Sequence, residues 1–295
     1  MSPVNHLSPL TLQEQFEQAR ERALVNSDHP LVSFITPARN RPKELRAALA
    51  SCLCQSLEDW EAVVVDDHSD QADLAGLIQD LNDPRIRYVK QDLGSSGEAA
   101  GREKAIAAAR SNILITLDSD DLNHPHRAAD CLELLKGTHP RLIYTRVHLF
   151  SSSKPGGHVK PVFQPFSAQL LEMMNFITNP GTAFNRAAYR AAGGFYNCRL
   201  ALATDYDQYL RMSRAGVSIL GVDRTHVSYR KHAGAVTAGQ TDALHKAVMQ
   251  LRIQNNVQPF PIEAITAHAL PELSRNVLEN PEQRALWTDD RWKPQ

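Results

Sequence analysis

The chain has 295 residues, 42% of them hydrophobic, which suits one large domain or a core domain with smaller additions and excludes disorder as the dominant state. Thirty-two basic residues stand against 33 acidic ones; the formal net charge of -1 creates no global field for nucleic acid or an anionic membrane, so any anionic ligand must be held locally. Cys52, Cys54, Cys131 and Cys198 contain no CxxC pair, which argues against a structural zinc site.

The first 28 residues, with LQEQFEQARERAL at helical spacing, read as a helical appendage that packs on the core. From Leu31, short β-rich runs alternate with helical ones. LVSFIT predicts a strand, Pro42 to Gln55 a helix, and EAVVV a second strand that ends in a polar turn from Asp66 to Asp70. A helix follows near Ala72 to Leu81, then the strand IRYV, a helix near Glu98 to Ala109, and the apolar strand NILITL. Strands apolar on both faces suit a parallel sheet covered by helices. Beyond Asp121 come a helix near His126 to Leu135, the strand LIYTRV, and a Ser/Pro/Gly-rich stretch from Ser151 to Pro165 that reads as a long loop. A helix near Ser167 to Met174, a turn at Asn179-Pro180-Gly181 leading into a short strand, a helix after Arg186, another from Asp205 to Ala215 and a strand near His226 to Arg230 complete an α+β second half. The last 60 residues, with several prolines and tryptophans, read as a second appendage.

Chemistry-bearing residues lie where strands end. Asp66 and Asp67 close EAVVV, while Asp118, Asp120 and Asp121 close NILITL. Ligands of open α/β sheets gather at the carboxyl ends of the strands. Five carboxylates on one rim repel each other unless a cation or hydrogen-bond donor sits among them, and a divalent metal with a diphosphate meets that need. Taken alone, DDHSD is equally an ordinary turn with Asx caps. Asp118-Ser119-Asp120-Asp121 is the stronger signal. Gly181 either lets the backbone approach a ligand closely or belongs to an ordinary turn. His124, His126 and His139 are expected to be caps or surface residues.

Four blocks of the sequence resemble family 2 of the GT-A-fold glycosyltransferases, from about Leu31 to about Thr237. VSFITPARNRPKELRAALASCLCQSLEDWEAVVVDDHSD resembles that family's opening strand, helix and DDGS-type turn, and GSSGEAAGREKAIAAARSNILITLDSDD its glycine/arginine helix and DxD strand. GGFYNCRLALATDYDQYLRMSRAG resembles its GGF, ED and LR block, and YRKHAGAVT follows in the family's order. The resemblance implies a GT-A-like α/β domain with a mixed, mainly parallel sheet over residues 29–237, flanked by helical appendages at 1–28 and 238–295.

It also implies roles. Asp67 would hydrogen-bond the nucleobase beside the Pro37-Ala38 backbone, with Asp66 assisting. Asp118 and Ser119 would face the ribose or a metal-bound water, Asp120 would ligate Mn²⁺ or Mg²⁺ on the diphosphate, and Asp121 would support the loop. Arg102 is placed to reach the nucleotide, and Arg230, Lys231 and His232 are candidate phosphate or metal contacts, His232 first among them. Asp205 would be the base that takes the acceptor proton, at a helix N-terminus that favours a carboxylate. Thr204 departs from the family's usual Glu, which puts any role of that second acid in doubt, and Asp207 is expected on the helix surface.

The function implied is metal-dependent, inverting transfer of a sugar from a nucleoside diphosphate, UDP favoured, to a glycan or other hydroxyl acceptor. Two alternatives stay open at this stage. A nucleotidyltransferase would also gather strand-end acids, although PARNRP is not its GxGxR-type loop. A non-catalytic nucleotide-sugar- or carbohydrate-binding protein would keep the fold without the chemistry. The opening MSPVNHLSPL lacks the charged and apolar regions of a secretory signal, and no apolar run reaches the roughly 20 residues that span a bilayer. A cytoplasmic protein with reduced thiols is therefore expected, with peripheral membrane contact left open.

Overall fold

The computed structural model describes residues 29–151, 154–159, 163–194, 196–198, 200, 202–232, 241–254 and 257. The N-terminal appendage expected at 1–28, and all of 238–295 except residues 241–254 and 257, lie outside the described residues. Strand β1 (Val32–Ala38) leads through α1 (Pro42–Leu53) to β2 (Trp60–Asp66), and α2 (Leu74–Leu81) leads to β3 (Ile86–Lys90). Helix α3 (Glu98–Ala108) precedes β4 (Ile113–Thr116), the two-residue β5 (Leu122–Asn123) and α4 (Arg127–Leu135). Then come β6 (Arg141–Ser151), β7 (Lys154–Val159), α5 (Ala168–Met173), a single 3-10 turn at Asn179–Gly181, β8 (Thr182–Asn185) and α6 (Arg186–Ala191). Helix α7 (Thr204–Arg214), the long strand β9 (Ser218–Lys231) and α8 (Thr241–Gln254) complete the described chain.

The strands form one mixed sheet in the order β3-β2-β1-β4-β8-β6-β9-β5, with β7 pairing β6. The first four strands are mutually parallel, whereas β8 runs antiparallel to both β4 and β6. Side chains alternate across the central strands and build two cores. Val32, Phe34, Ala62 and Val64 pack with Leu45, Leu49, Leu77 and Leu134 of α1, α2 and α4 on one face. Ile35, Val63 and Val65 pack with Ile106, Tyr189 and Leu210 of α3, α6 and α7 on the other. Both faces are covered, which is why these strands read as continuous apolar runs. Leu251 of α8 is fully buried in the second core, so this part of the C-terminal segment packs onto the domain.

Local chemistry fixes the helix starts. Pro42 opens α1 with its φ already helical, while Asp73, Ser167 and Asn185 each accept a backbone N–H of the first turn of α2, α5 and α6. One expectation fails: the stretch from Ser151 to Pro165 is not a loop throughout, because Lys154–Val159 pairs antiparallel with β6 as a strand at the sheet's margin. Strand β9 also begins at Ser218, eight residues before the predicted strand. Among the described residues, no helix is long and apolar enough to cross a membrane.

Candidate active site

From β1 the chain winds outward to β2 and β3, then returns to place β4 on the opposite side of β1. Such a reversal opens a crevice at the carboxyl ends of the strands. The two acidic turns follow β2 and β4, the strands on either side of β1.

At the end of β2, the carboxylates of Asp66 and Asp67 differ in what they have left to give. Asp66 Oδ1 accepts the Ser69 N–H at 2.9 Å and Oδ2 accepts the Tyr88 hydroxyl at 2.9 Å, so Asp66 braces the turn. Asp67 is 7% exposed; its N–H donates to the Ala38 carbonyl and its Oδ2 accepts the Gly97 N–H, both at 2.9 Å. Its Oδ1 is buried with no hydrogen-bond partner among the described residues. Leaving such an acceptor unmade costs about 1–3 kcal/mol, which a ligand N–H would recover. Pro37 and Ala38 lie alongside, and a Cβ on Gly101 of α3 would come within 2.7 Å of Pro37 Cβ, so the helix packs against this strand end because residue 101 has no side chain.

A little over one turn into α3, Arg102 is 1% exposed and ion-paired to Glu98 and, at 2.9 Å, to Asp118 Oδ1. Its Nε and Nη1 are buried without partners among the described residues, and its guanidinium lies 5.8 Å from the Tyr196 ring centroid. Asp205, in the first turn of α7, lies near enough for Arg102 and Asp118 to act on its carboxyl. Burial raises that carboxyl above the usual aspartate value, Arg102 and backbone N–H groups oppose the rise, and Asp118 adds to it. Asn175 Nδ2 donates to Asp205 Oδ2 at 3.4 Å, and Ala203, just before the helix, holds a left-handed φ of 59°. Thr204 is buried beside it.

The 118–121 turn is held from several sides. Asp118 Oδ2 receives the Asn179 side-chain amide at 3.5 Å, while Asn179 Oδ1 accepts the Tyr209 hydroxyl of α7 at 3.0 Å. Ser119 is buried in the turn. Asp120 Oδ2 meets His232 Nε2 at 2.8 Å and is ion-paired to Arg41, whose Nη1 also lies 3.2 Å from His232 Nε2. Asp121 is fully buried; Oδ1 accepts the Arg230 N–H at 2.8 Å, Oδ2 has no partner among the described residues, and burial pushes its carboxyl well above the usual value.

Several expected contacts look different in the fold. Arg230 spends its Nε on the Asp120 carbonyl at 2.8 Å and stacks its guanidinium 4.6 Å from the Phe150 ring centroid, so it braces the acidic turn, while Lys231 is exposed. Asp207 is not on the helix surface: it is buried and paired to Arg211. Gly181 serves close packing within the protein, since a Cβ there would stand 2.9 Å from the Thr145 carbonyl oxygen. His124 and His126 bond to Ser228 and Ser56 hydroxyls, and His139 is exposed.

Arg41 and Asn179 escaped the sequence reading. The strand-end rule that picked out the acids applies equally to β1, whose following residues are Arg39-Asn40-Arg41; that signal was available. Among the described residues, no group of three His, Cys, Asp or Glu side chains could hold a metal ion. Asp120 and His232 form a two-donor pair, a carboxylate oxygen and an imidazole nitrogen on a common centre, which fits a divalent cation that takes its other ligands from diphosphate and water.

A mixed sheet with helices on both faces and acids at its strand ends is a GT-A-like architecture. Its fold is similar to that of S. aureus TarS 1–349, crystallised in complex with UDP-GlcNAc, at a TM-score of 0.61 and 16% identity over 87% of this chain and 78% of that one. The family model described as glycosyl transferase family 2 matches residues 33–193, more than half of the sequence. The chain belongs to that family and is a glycosyltransferase. It is 30% identical over 195 residues to WcaA of Escherichia coli K12, named as a colanic acid biosynthesis glycosyl transferase, covering 63% of this chain and 67% of WcaA. It is 31% identical over 193 residues to the hyaluronan synthase of Pasteurella multocida, covering 63% of this chain but 19% of that synthase. The chain thus corresponds to about two thirds of the first relative and to a small part of the second.

Proposed function

We propose that this protein transfers a sugar from a nucleoside diphosphate, with uridine the favoured base, to a glycan hydroxyl in polysaccharide biosynthesis, with inversion at the anomeric carbon. One observation carries this reading. Helix α3 gives its N-terminal Gly97 N–H to Asp67 and, a little over one turn later, sets Arg102 against Asp118 and within electrostatic reach of Asp205. A base-reading acid, a ribose-facing acid and a proton acceptor are thereby tied to one rigid element.

In this reading Asp67 Oδ1 accepts the imide N–H of the uracil ring against Pro37 and Ala38. Asp118, held by Arg102 and Asn179, faces the ribose. Asp120 and His232 would anchor Mn²⁺ or Mg²⁺, which supplies neutralisation of the charge that develops on the leaving diphosphate. Asp205 accepts the proton of the acceptor hydroxyl as that oxygen attacks the anomeric carbon from the face opposite the diphosphate. The raised carboxyl of Asp205 makes it a better proton acceptor than a free aspartate. Names of the relatives support polysaccharide assembly as the setting, and the TarS complexes with UDP and UDP-GlcNAc support a uridine nucleotide.

A panel of nucleotide sugars incubated with the purified chain, with Mn²⁺, Mg²⁺ or chelator, tests the reading. The expected result is metal-dependent release of UDP from one donor and none from purine nucleotide sugars. Release that is indifferent to chelator, or absent for every donor, would overturn it.

A further inference from the structure

Arg41 stands in an unusual relation to the pair proposed to hold the metal. Its backbone is fixed: the Arg41 carbonyl accepts the Leu45 N–H that starts α1, and neighbouring Asn40 is stapled to the acidic turn by bonds to Ser69, Asp70 and Gln71. Its side chain extends from the end of β1 across the switch point to the next strand's turn. There Nη1 is ion-paired to Asp120 Oδ2 and lies 3.2 Å from His232 Nε2, while those two atoms are 2.8 Å from each other. The guanidinium is therefore seated on the two atoms a divalent cation would use.

A dication and a guanidinium cannot both hold Asp120 Oδ2 at contact distance, since like charges that close repel by several kcal/mol even when partly screened. Without a metal, however, a largely buried Asp120 beside Asp118 and Asp121 needs a counter-charge, and Arg41 supplies it. Resting on the metal role proposed above, we infer that Arg41 is the resident counter-cation of the Asp120 and His232 pair and that it couples metal binding to donor binding. Metal alone must displace Arg41 from Asp120 and forfeit that ion pair. A nucleoside diphosphate arriving with the metal offers the displaced guanidinium phosphate oxygens, a bidentate partner that suits its planar fork. Each ligand thus removes the obstacle to the other, which is positive coupling and by linkage reciprocal.

Mn²⁺ affinity, read from loss of the free-ion electron paramagnetic resonance signal with and without UDP, tests the inference in the wild type, Arg41→Ala and Arg41→Met. The methionine variant retains the apolar stem should the alanine variant fold poorly. The wild type is expected to bind Mn²⁺ weakly alone and at least about tenfold tighter with UDP. Either variant should bind Mn²⁺ alone about tenfold tighter than the wild type and show a smaller enhancement by UDP, as expected when one unit charge is taken from the site. Unchanged metal affinity and unchanged enhancement in a folded variant would overturn the role of Arg41 while leaving the metal site standing. If the wild type binds no Mn²⁺ even with UDP, or if Asp120→Asn binds it as the wild type does, the metal role itself fails and the Arg41 inference with it.

Discussion

Among the described residues no donor reaches the buried Oδ1 of Asp67, and an acceptor inside a protein is stabilising only when something donates to it. Asp67→Asn keeps an oxygen for the Gly97 N–H and turns an amide donor toward the base, opposing the uracil imide N–H. UDP affinity is expected to fall by about 10- to 100-fold, the cost of a lost hydrogen bond to a charged group, and the gap between UDP and CDP to narrow; competition titrations with both nucleotides check this. Asp205 makes a separate prediction. Its ionised form is the active one, and burial raises its carboxyl, so activity should fall as pH drops through a value above the ordinary aspartate range. A pH profile of kcat whose acid limb sits at the usual carboxylate value would contradict this assignment. Asp205→Asn should cut transfer by roughly 10² to 10⁴ with donor affinity nearly unchanged.

At the scale of elements, α3 does more for the site than any other helix, and it can lie against β1 because Gly101 is bare. Gly101→Ala gains up to about 1 kcal/mol of helix propensity, but its Cβ would stand 2.7 Å from Pro37 Cβ, and overpacking of this kind costs about 1–3 kcal/mol. The clash wins, so a net destabilisation of about 1 kcal/mol is expected, together with weaker UDP binding as Gly97 and Arg102 shift; thermal melts and nucleotide titrations read the two effects separately. The covered strands of the first half were legible because both faces are apolar, and their terminal acids because parallel strands deliver ligands at one end. Strand β7 was not legible: a strand at a sheet's margin tolerates the Lys, Pro and Gly that read as loop. The opening of β9 was hidden by Gly221, which lies where a Cβ would stand 2.7 Å from the Tyr144 hydroxyl, a requirement set by a partner 77 positions away in sequence. Arg41 is not singled out and Asn179 reads only as part of a turn, because tertiary pairing alone brings them to the acids.

Across the whole molecule, the sheet separates chemistry from stability by putting them at opposite ends of its strands. Asp66 and Asp67 finish β2 at the crevice, whereas Glu61 near the start of the same strand is fully buried at the far end. Glu61 Oε1 accepts the Ser33 hydroxyl and the Arg110 N–H, both at 2.6 Å, and Oε2 accepts Arg87 at 2.7 Å and the Arg110 side chain at 3.0 Å. One carboxylate thereby joins β1, β2, β3 and the segment that leads into β4. Burial alone would raise its carboxyl, but the bonds from Ser33, Arg110 and Arg87 outweigh burial and hold it below the usual glutamate value. A depressed native carboxyl contributes stability that is fully present above the unfolded-state value, about 4.3, and is lost as pH falls from there through the lower native value. Glu61→Gln leaves two partly buried arginines without their anion, and breaking a buried pair in this way typically costs about 3–5 kcal/mol; with both arginines one-third exposed, about 2–3 kcal/mol is the expected loss. Urea unfolding at neutral pH should show that deficit, and the gap between variant and wild type should close as the pH is lowered below about 4.3. Because the site lies at the other end of the strands, turnover by the folded variant should stay close to wild type, and a deficit that persists unchanged in acid would show that Glu61 does not hold the sheet through its charge.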